Sequence, residues 1–594
     1  MTTEAAWIQA DALGPDPVLV RSLEGRDELN QQYAFRAHVE LPGVISSEDL
    51  EQLLKGPARL SFRQDVVELN RFFAIVSDVT VEADSEHART DLFLELRPLS
   101  WLMSLRRGTE IFMGQTIPET IREKLISAGL DPERDFGFVL HDTYPRREFT
   151  VQHEETDLSF VMRLAEDVGL ASCFQDRDGH DGWVFTDSSA TFAPGPRPYL
   201  HVRTRADHPA AFNVRRTLRR VPSDVVAHDY NYRTPRLALS AERPVSAPAA
   251  LGTWVEFAND PKTETEVDEV ARLRAEELAA RHDTTEGMST DASLRAGRVV
   301  ELRDAAGGRT ELLITHVWYA FRAEREGSVG WENRFRGIPV GVRFRPPRLT
   351  PMPKVSGLMH GIVDGAVRGQ YAELDDEGRY RLRMAYDRSG RSDLSATHPV
   401  RMMQPHAGAQ YGMHFPLRPG ADVLVGFVNG DPDRPIIVGT APNPSVASPV
   451  VQSNQTQNVL RSGSRNELVM EDLLGSERVR VHSPTEDSTV QIGALEEPEN
   501  GILLKTDANV SAASTLSNNT LTSRHAVLAD KTTTIAGTSA VLVAGLPAIG
   551  EAARKGMSDV SAVDSAKVQK GLERLAAAPP REEEEATDDE TEEP

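Results

Sequence analysis

Over the first 350 residues, apolar and polar side chains alternate with a period of two in one segment after another, the pattern of strands with one buried face. Tyr33 to Leu41 (YAFRAHVEL) and Asp91 to Arg97 (DLFLELR) are the clearest cases, and Phe72 to Val76, Ser293 to Leu302 and Glu311 to Tyr319 follow. Three segments switch to a helical period. Pro118 to Ala128 has proline in its first turn and stops at Gly129. Asp157 to about Val168 is capped by Thr156, stops at Gly169, and lines up Leu158, Val161, Met162, Leu164 and Ala165 on one face. Glu264 to Arg281 follows Thr263, with Glu266 at the capping-box position. Strands dominate and do not alternate regularly with helices, which predicts β-barrels with inserted helices rather than a parallel sheet.

The pattern then changes twice. Arg345 to Pro353 (RPPRLTPMP) is proline-dense and reads as an extended linker. Residues 355 to 442 are short strands divided by glycine and Asp-Gly turns, the size of a small five-stranded barrel, with Asn429-Gly430 as a strong turn signal. From 450 to about 545, Ser, Thr, Asn and Gly are interspersed with Val, Leu and Ile. Arg478 to His482 and Ser488 to Gly493 alternate strictly. These strands carry too little apolar bulk for a core of their own, so they are expected to complete it with other chains.

Composition narrows the function. The chain has 594 residues, 39% hydrophobic and 26% charged, as in globular proteins, and enough length for several domains. No apolar run is long enough to predict a membrane-spanning helix, and Met1 to Asp11 lacks the basic and apolar parts of an ordinary signal peptide. The net charge is −24, of which Arg581 to Pro594 holds −8, from nine carboxylates and one Arg. That balance argues against nucleic-acid binding, which needs a basic face. The single cysteine, Cys173, excludes an intrachain disulfide, a zinc ribbon and a CxxC redox pair, and reads as a small buried apolar group.

Few residues suggest chemistry. His398, His406 and His414 recur every eight positions, which on an extended strand separates neighbours by more than about 20 Å. No Cys or carboxylate cluster assists them, so no metal is expected and they read as surface or packing residues. Gly430, Asp431, Pro432, Asp433, Arg434 and Pro435 contain two carboxylates that could do acid–base work only if burial drove their pKa values apart. The glycine and prolines instead suggest a rigid turn that fixes strand register, with Arg434 as partner for either Asp. No GxSxG, HExxH, P-loop or dinucleotide signature is visible. No catalytic residue or cofactor is predicted.

Several longer segments are recognisable. LFLELRPLSWLMSLRRGTEIFMGQTIPETIREKL (92–125), YPRREFTVQHEETDLSFVMRLAEDVGL (144–170), SLRAGRVVEL (293–302), ENRFRGIPVGVRFRPPRLTPMPKVSG (332–357), MHFPLRPGADVLVGFVNGDPDRPIIVGTAPN (413–443) and SGSRNELVMED (462–472) occur in the order of one family. Over about residues 1 to 510 the chain resembles VgrG, the spike protein of type VI secretion, which is similar to the hub and central spike of phage tails. The resemblance implies a tail-hub-like domain of two β-barrels with inserted α/β elements (1–350) and an OB-fold collar (351–445). Beyond these it implies a triple-stranded β-helix braided in a homotrimer (446–545) and a C-terminal extension (546–594). It implies a mechanical, non-enzymatic part that sits on the hexameric Hcp tube, meets baseplate proteins and is tipped by a PAAR-repeat protein. Such a part would carry effectors or adaptors and touch the target membrane only transiently. It would assemble in the cytoplasm and be exported to the extracellular space or into the target cell. Ala396 to His406 lacks the Trp-rich segments common in the family's collar, and no lysozyme domain follows the collar as it does in some phage spikes. The spike of an extracellular contractile particle or a prophage tail shares these features. A spike fused to an effector enzyme is disfavoured by the 49 residues after Gly545.

The acidic tail has two readings. It either solubilises the end, or Glu582, Glu583, Glu584, Glu585, Asp588 and Asp589 dock a basic cargo by their summed field. On the docking reading, deleting Arg581 to Pro594 abolishes salt-sensitive cargo capture in a pull-down at low ionic strength. Unchanged capture leaves only the solubilising role.

Overall fold

The computed structural model describes residues 4–84, 89–177, 179–195, 197–203, 210–258, 260–323, 329–366, 371–494 and 501–511. They fall in two compact units that divide after Val479. The first unit begins with six antiparallel strands: β1 (Glu4–Gln9), β2 (Val18–Glu28), β3 (Ala34–Pro42), β4 (Pro57–Gln64), β5 (Val67–Asp84) and β6 (Arg89–Pro98). Their order β1-β4-β5-β6-β3-β2 closes through β1–β2 pairing into a barrel. β6 alternates strictly between half-buried and buried positions along its length, as the DLFLELR pattern predicts. Tyr33, Phe35, Phe62 and Phe72 fill the interior in edge-to-face and tilted contacts, with centroids 4.5–6.2 Å apart. Gly25 sits in mid-strand because a Cβ there would overlap the Phe35 ring on the paired strand.

A second barrel closes through the strands Tyr199–Val202, Ala210–Leu218, Asp283–Ser289, Arg298–Arg303, Arg309–Ala323 and Asn333–Pro339. The Arg309–Ala323 strand belongs to this barrel and also pairs with β2 over Ser22↔Arg322 to Glu28↔His316. The two barrels are therefore one continuous sheet.

Among the described residues four α-helices are inserted. α1 (Ser47–Lys55) was not expected; Ser46 caps it by accepting from the Asp49 N–H. α2 (Ile117–Ser127) has a full capping box from Thr116 and Glu119. α3 (Asp157–Asp167) starts at Thr156, and the chain leaves it through Gly169 at φ +68. α4 (Glu264–Ala280) is capped by Thr263, while Glu266 reaches one residue further back, to the Lys262 N–H. α4 covers a small sheet of Asp224–Asp229, Leu239–Pro244 and Thr253–Phe257.

Residues 345–353 are extended, as the prolines dictate, but they are strapped to the helices rather than free. Arg345 is 2% exposed, donates to Glu276 at 2.7 Å and to the Gly169 carbonyl at 2.8 Å. The N–H groups of Leu349 and Thr350 and the Thr350 hydroxyl all donate to the Glu166 carboxylate at 2.8–2.9 Å. A composition-based linker reading misses this because the partners lie 69 to 184 residues upstream.

Beyond the strap, Leu382–Met384, Met359–Val363, Asp422–Phe427 and Pro435–Thr440 form an antiparallel sheet. Bridges Tyr380↔Val400 and Met402↔Ile437 close it into the small barrel. The first unit ends in a hairpin of Gln457–Arg461 and Glu467–Glu471. The second unit contains the strands Ser488–Gly493 and Gly501–Lys505, paired antiparallel. Residues 512–594, which include about the last third of the expected β-helix and the whole acidic tail, lie outside the described residues.

One buried ion cluster ties segments of the N-terminal region together. Arg295 lies 3.5 Å from Asp27 of β2 and 3.6 Å from Asp181, with its guanidinium 4.1 Å from the Phe72 centroid. Asp181 also accepts from the Tyr33 hydroxyl and the Phe73 N–H, both at 2.8 Å. Arg295→Met leaves two carboxylates without their cation, and is expected to cost about 3–5 kcal/mol in chemical denaturation. A loss below about 1 kcal/mol would show the cluster to be dispensable.

Candidate functional site

The predicted turn forms as a tight loop between the last two strands of the small barrel. Val428 N–H donates to the Arg434 carbonyl at 3.0 Å, and Arg434 N–H to the Asp431 carbonyl at 2.9 Å. Asn429 at φ +58 and Gly430 at φ +73 turn the chain, and the Gly430 carbonyl accepts from Val355 N–H at 2.8 Å. Pro432 and Pro435 restrict the backbone on either side of Asp433.

The side chains point away from the small barrel's own strands. The Asp433 carboxylate accepts the Val151 N–H at 2.6 Å, on the Thr150–Thr156 strand of the N-terminal region. Arg434 does not pair with Asp431 or Asp433. It lies 3.9 Å from Asp229 and 3.8 Å from Asp260, on the segments that flank the α4 sheet. The expected local partner is replaced by a distant one because the turn is a point of attachment. The apolar core agrees: Ile111, Phe149 and Val151 are buried in one cluster with Val363, Leu382, Val400, Val423 and Ile437 of the small barrel.

A cavity of about 970 Å³ opens beside this attachment, between α3, α4, the strap and the turn. Asp431, Asp433, Asp260, Arg147, Arg163 and His398 are among its walls. Most charges there are already paired. Arg147 binds Asp167, Arg163 binds Glu155 at 2.7 Å, and Glu148 binds Arg233 at 2.6 Å. Hydrogen bonds from Arg233 hold Glu148 down at about 2. Desolvation, then the neighbouring Asp431, push the Asp433 carboxyl up to about 7.

The three histidines do not converge. His398 packs on Phe149 at 4.6 Å and burial lowers its pKa to about 4. His414 bonds Tyr380 and Gln404, each at 2.8 Å, and His406 lies against Tyr411. Among the described residues no cluster of His, Cys, Asp or Glu could hold a metal. Cys173 is buried against Gly297, and burial pushes its thiol up to about 11, far from a nucleophile. The sequence signalled the turn, but not Val151, Asp229, Asp260 or Glu166, whose roles depend on contacts remote along the chain.

The second unit shows a different kind of surface. In its hairpin Val490 faces Leu504 and Ile492 faces Ile502, so four apolar side chains share one face. Ile492 is 52%, Ile502 71% and Leu504 61% exposed, so no described residue covers this face.

The comparisons with known proteins match this architecture. Residues 26–324, half of the chain, match the model of the phage tail baseplate hub (GPD), and residues 365–441 that of the type VI secretion system/phage-baseplate injector OB domain. The chain belongs to the phage tail baseplate hub family and carries the injector OB domain after it. The likeness to VgrG holds as well. The sequence is 29% identical over 511 residues to the actin cross-linking toxin VgrG1 of Vibrio cholerae, covering 81% of this chain and 46% of that protein. It is 28% identical over 509 residues to the type VI secretion system spike protein VgrG1a of Pseudomonas aeruginosa, covering 80% and 77%. VgrG3 of V. cholerae is 27% identical over 80% of this chain and 49% of its own length. The chain thus spans about half the length of two of these relatives. Among solved structures, an Escherichia coli type VI secretion component described as similar to T4 tail proteins gp27 and gp5 superposes with a TM-score of 0.53, at 22% identity, over 73% of this chain and 99% of that one. The Francisella PdpA-VgrG complex gives 0.58 at 12% identity over 86% and 80%. At these identities the structures support the fold alone.

Glu166 is the acceptor for three donors of the strap, and Glu166→Ala removes all of them. Tryptic cleavage after Arg348 in the folded chain is expected to accelerate at least about tenfold, since 1.4 kcal/mol of lost anchoring already gives that factor. An unchanged rate would mean that the Arg345 contacts hold the strap alone.

Proposed function

We propose that this chain is the spike of a contractile type VI secretion machine. Three copies join into one rigid body that caps the Hcp tube, carries effectors and is driven through a target membrane by the sheath. Residues 1–350 serve as the hub, 351–445 as the collar, 446–545 as the braided needle and 546–594 as an extension. The observation that carries the reading is the exposed Val490, Ile492, Ile502 and Leu504 face, which one sheet layer has no means to bury without a second layer set against it. Strands of two further copies would cover it, as the spike relatives' similarity suggests.

The remaining assignments rest on the resemblance: Hcp and baseplate proteins at the hub end, a PAAR-repeat protein at the tip, assembly in the cytoplasm and export on firing. Work in such a machine comes from the sheath, so the protein supplies stiffness rather than turnover. The chain is read as non-catalytic, like the relatives named as spike proteins. The relative named as a toxin extends well beyond the aligned part.

Light scattering on the purified full chain is expected to give about 196 kDa, three times 65.4 kDa. Ile492→Asp combined with Ile502→Asp buries charge in the proposed braid and shifts the mass toward 65 kDa with the barrels still folded. A wild-type monomer with intact β structure would overturn the reading.

A further inference from the structure

We propose that the cavity of about 970 Å³ beside the small barrel binds a linear polyamine, a methylene chain carrying several ammonium groups. Its walls all belong to the first unit, so the inference does not depend on the spike reading.

The charges on these walls do not balance. Every cation there already holds a carboxylate. Arg147 binds Asp167, Arg163 binds Glu155 and Arg348 binds Glu256. Arg272 binds Glu269, Lys262 lies 3.4 Å from Glu148, and Arg146 lies 2.9 Å from Glu119. Four carboxylates have no cation in return among the described residues. Asp431 accepts the Asp433 N–H at 2.9 Å, and Asp433 accepts the Val151 N–H at 2.6 Å. Glu266 accepts the Lys262 N–H at 2.7 Å, and Glu166 accepts the three strap donors. Such donors favour the ionised form of a carboxyl but bring no charge to neutralise it. The excess negative charge sits between low-dielectric walls, which focus its field on an entering cation.

His398 is an independent sign of a missing partner. It lines the cavity packed on Phe149, and its Nδ1 is buried without a hydrogen-bond partner. Burial keeps the ring neutral down to about 4, so one of its nitrogens is an acceptor at any ordinary pH. An ammonium N–H supplies what the carboxylates and this imidazole both lack.

The lining selects the kind of cation. Among the described residues no three His, Cys, Asp or Glu side chains are placed to hold a metal ion, so a compact ion is not the match. The four carboxylates are spread over α3, α4 and the turn, which calls for more than one positive centre. Phe149, Val270, Leu273 and Pro351 give the same walls apolar stretches, which suit the methylene segments between ammonium groups. The volume falls within the range of about 300–1,000 Å³ found for small-molecule sites. A chain bound there bridges the helices, the strap and the small barrel.

Hydrogen exchange of the full chain tests this at about pH 8, above the value of about 7 to which burial pushes Asp433. With about 1 mM spermidine, peptides over 142–149, 260–273 and 428–437 are expected to exchange at least about threefold more slowly, while β6 stays constant. The local readout separates the cavity from the acidic tail, whose field attracts any cation without protecting these peptides. Magnesium chloride at equal ionic strength is expected to give no such protection. Butylamine, with a single ammonium, is expected to need at least about tenfold more than spermidine. Glu266→Gln combined with Asp431→Asn keeps the side-chain shapes, and should raise the spermidine concentration for half protection at least about tenfold. Absence of protection by spermidine, equal protection by magnesium, or undiminished protection in the double variant would each overturn the site. Equal potency of butylamine would overturn the polyamine class. The wild-type ligand series decides alone if the double variant does not fold.

Discussion

The Arg309–Ala323 strand is the constraint around which the N-terminal region is organised. Its fifteen residues pair with β2 of the first barrel through the C-terminal half and with the second barrel along the N-terminal half. Tyr319 from this strand enters the aromatic cluster of the first barrel, 5.3 Å from Phe35 and 5.7 Å from Phe62. Slipping the strand by one residue would turn Tyr319 out of one barrel and Leu312 and Ile314 out of the other, so the two registers enforce each other. Arg295 reinforces the joint by bringing charges from separate segments to one buried point. Ion pairs of this kind are poor sources of net stability but severe when broken, which suits an element whose role is to specify one arrangement of two barrels.

Local signals were readable wherever the physics is local. Thr116, Thr156 and Thr263 start helices within one residue of their expected positions because a cap needs only the next three residues. The β6 alternation was legible for the same reason. The Ser46 cap and the acidic first turn of α1 were signals of equal quality, but only Leu53 of that short helix is buried, which left little apolar pattern to find. Ser293 to Leu302 looked like one strand, yet pairing begins only at Arg298, because Arg295 and Ala296 turn inward to meet Asp27. What the sequence hid was partnership across long separations: Glu166 with the strap, Arg434 with Asp229, Asp433 with Val151. The turn itself was legible from glycine and proline. Its attachment to another part of the chain was not.

That attachment changes how the small barrel is understood. A barrel of this size has a modest core, and here three of the core's buried members, Ile111, Phe149 and Val151, come from the N-terminal region. The strap acts on the same boundary from the other side, since Glu166 and Glu276 hold the residues leading into the barrel. The proline-rich segment is therefore a tether that limits how far barrel and helices can separate, rather than a hinge. Force applied along the chain would meet ionic and apolar contacts before it reached any flexible joint.

The second unit inverts this logic. Upstream, the strands of the three barrels close one face within their own chain; from Arg480 onward the apolar cross-strand pairs have nothing set against them among the described residues. Val, Ile and Leu on a sheet face left open to water gain nothing from the hydrophobic effect. Exposed strand edges of that composition also invite pairing with other chains. Selection against aggregation would remove such a face unless the native state covered it. If three identical copies cover it, no strand can leave without exposing apolar surface on its neighbours. Unfolding then becomes a collective event, which lets short, polar, weakly hydrophobic strands make a stiff element.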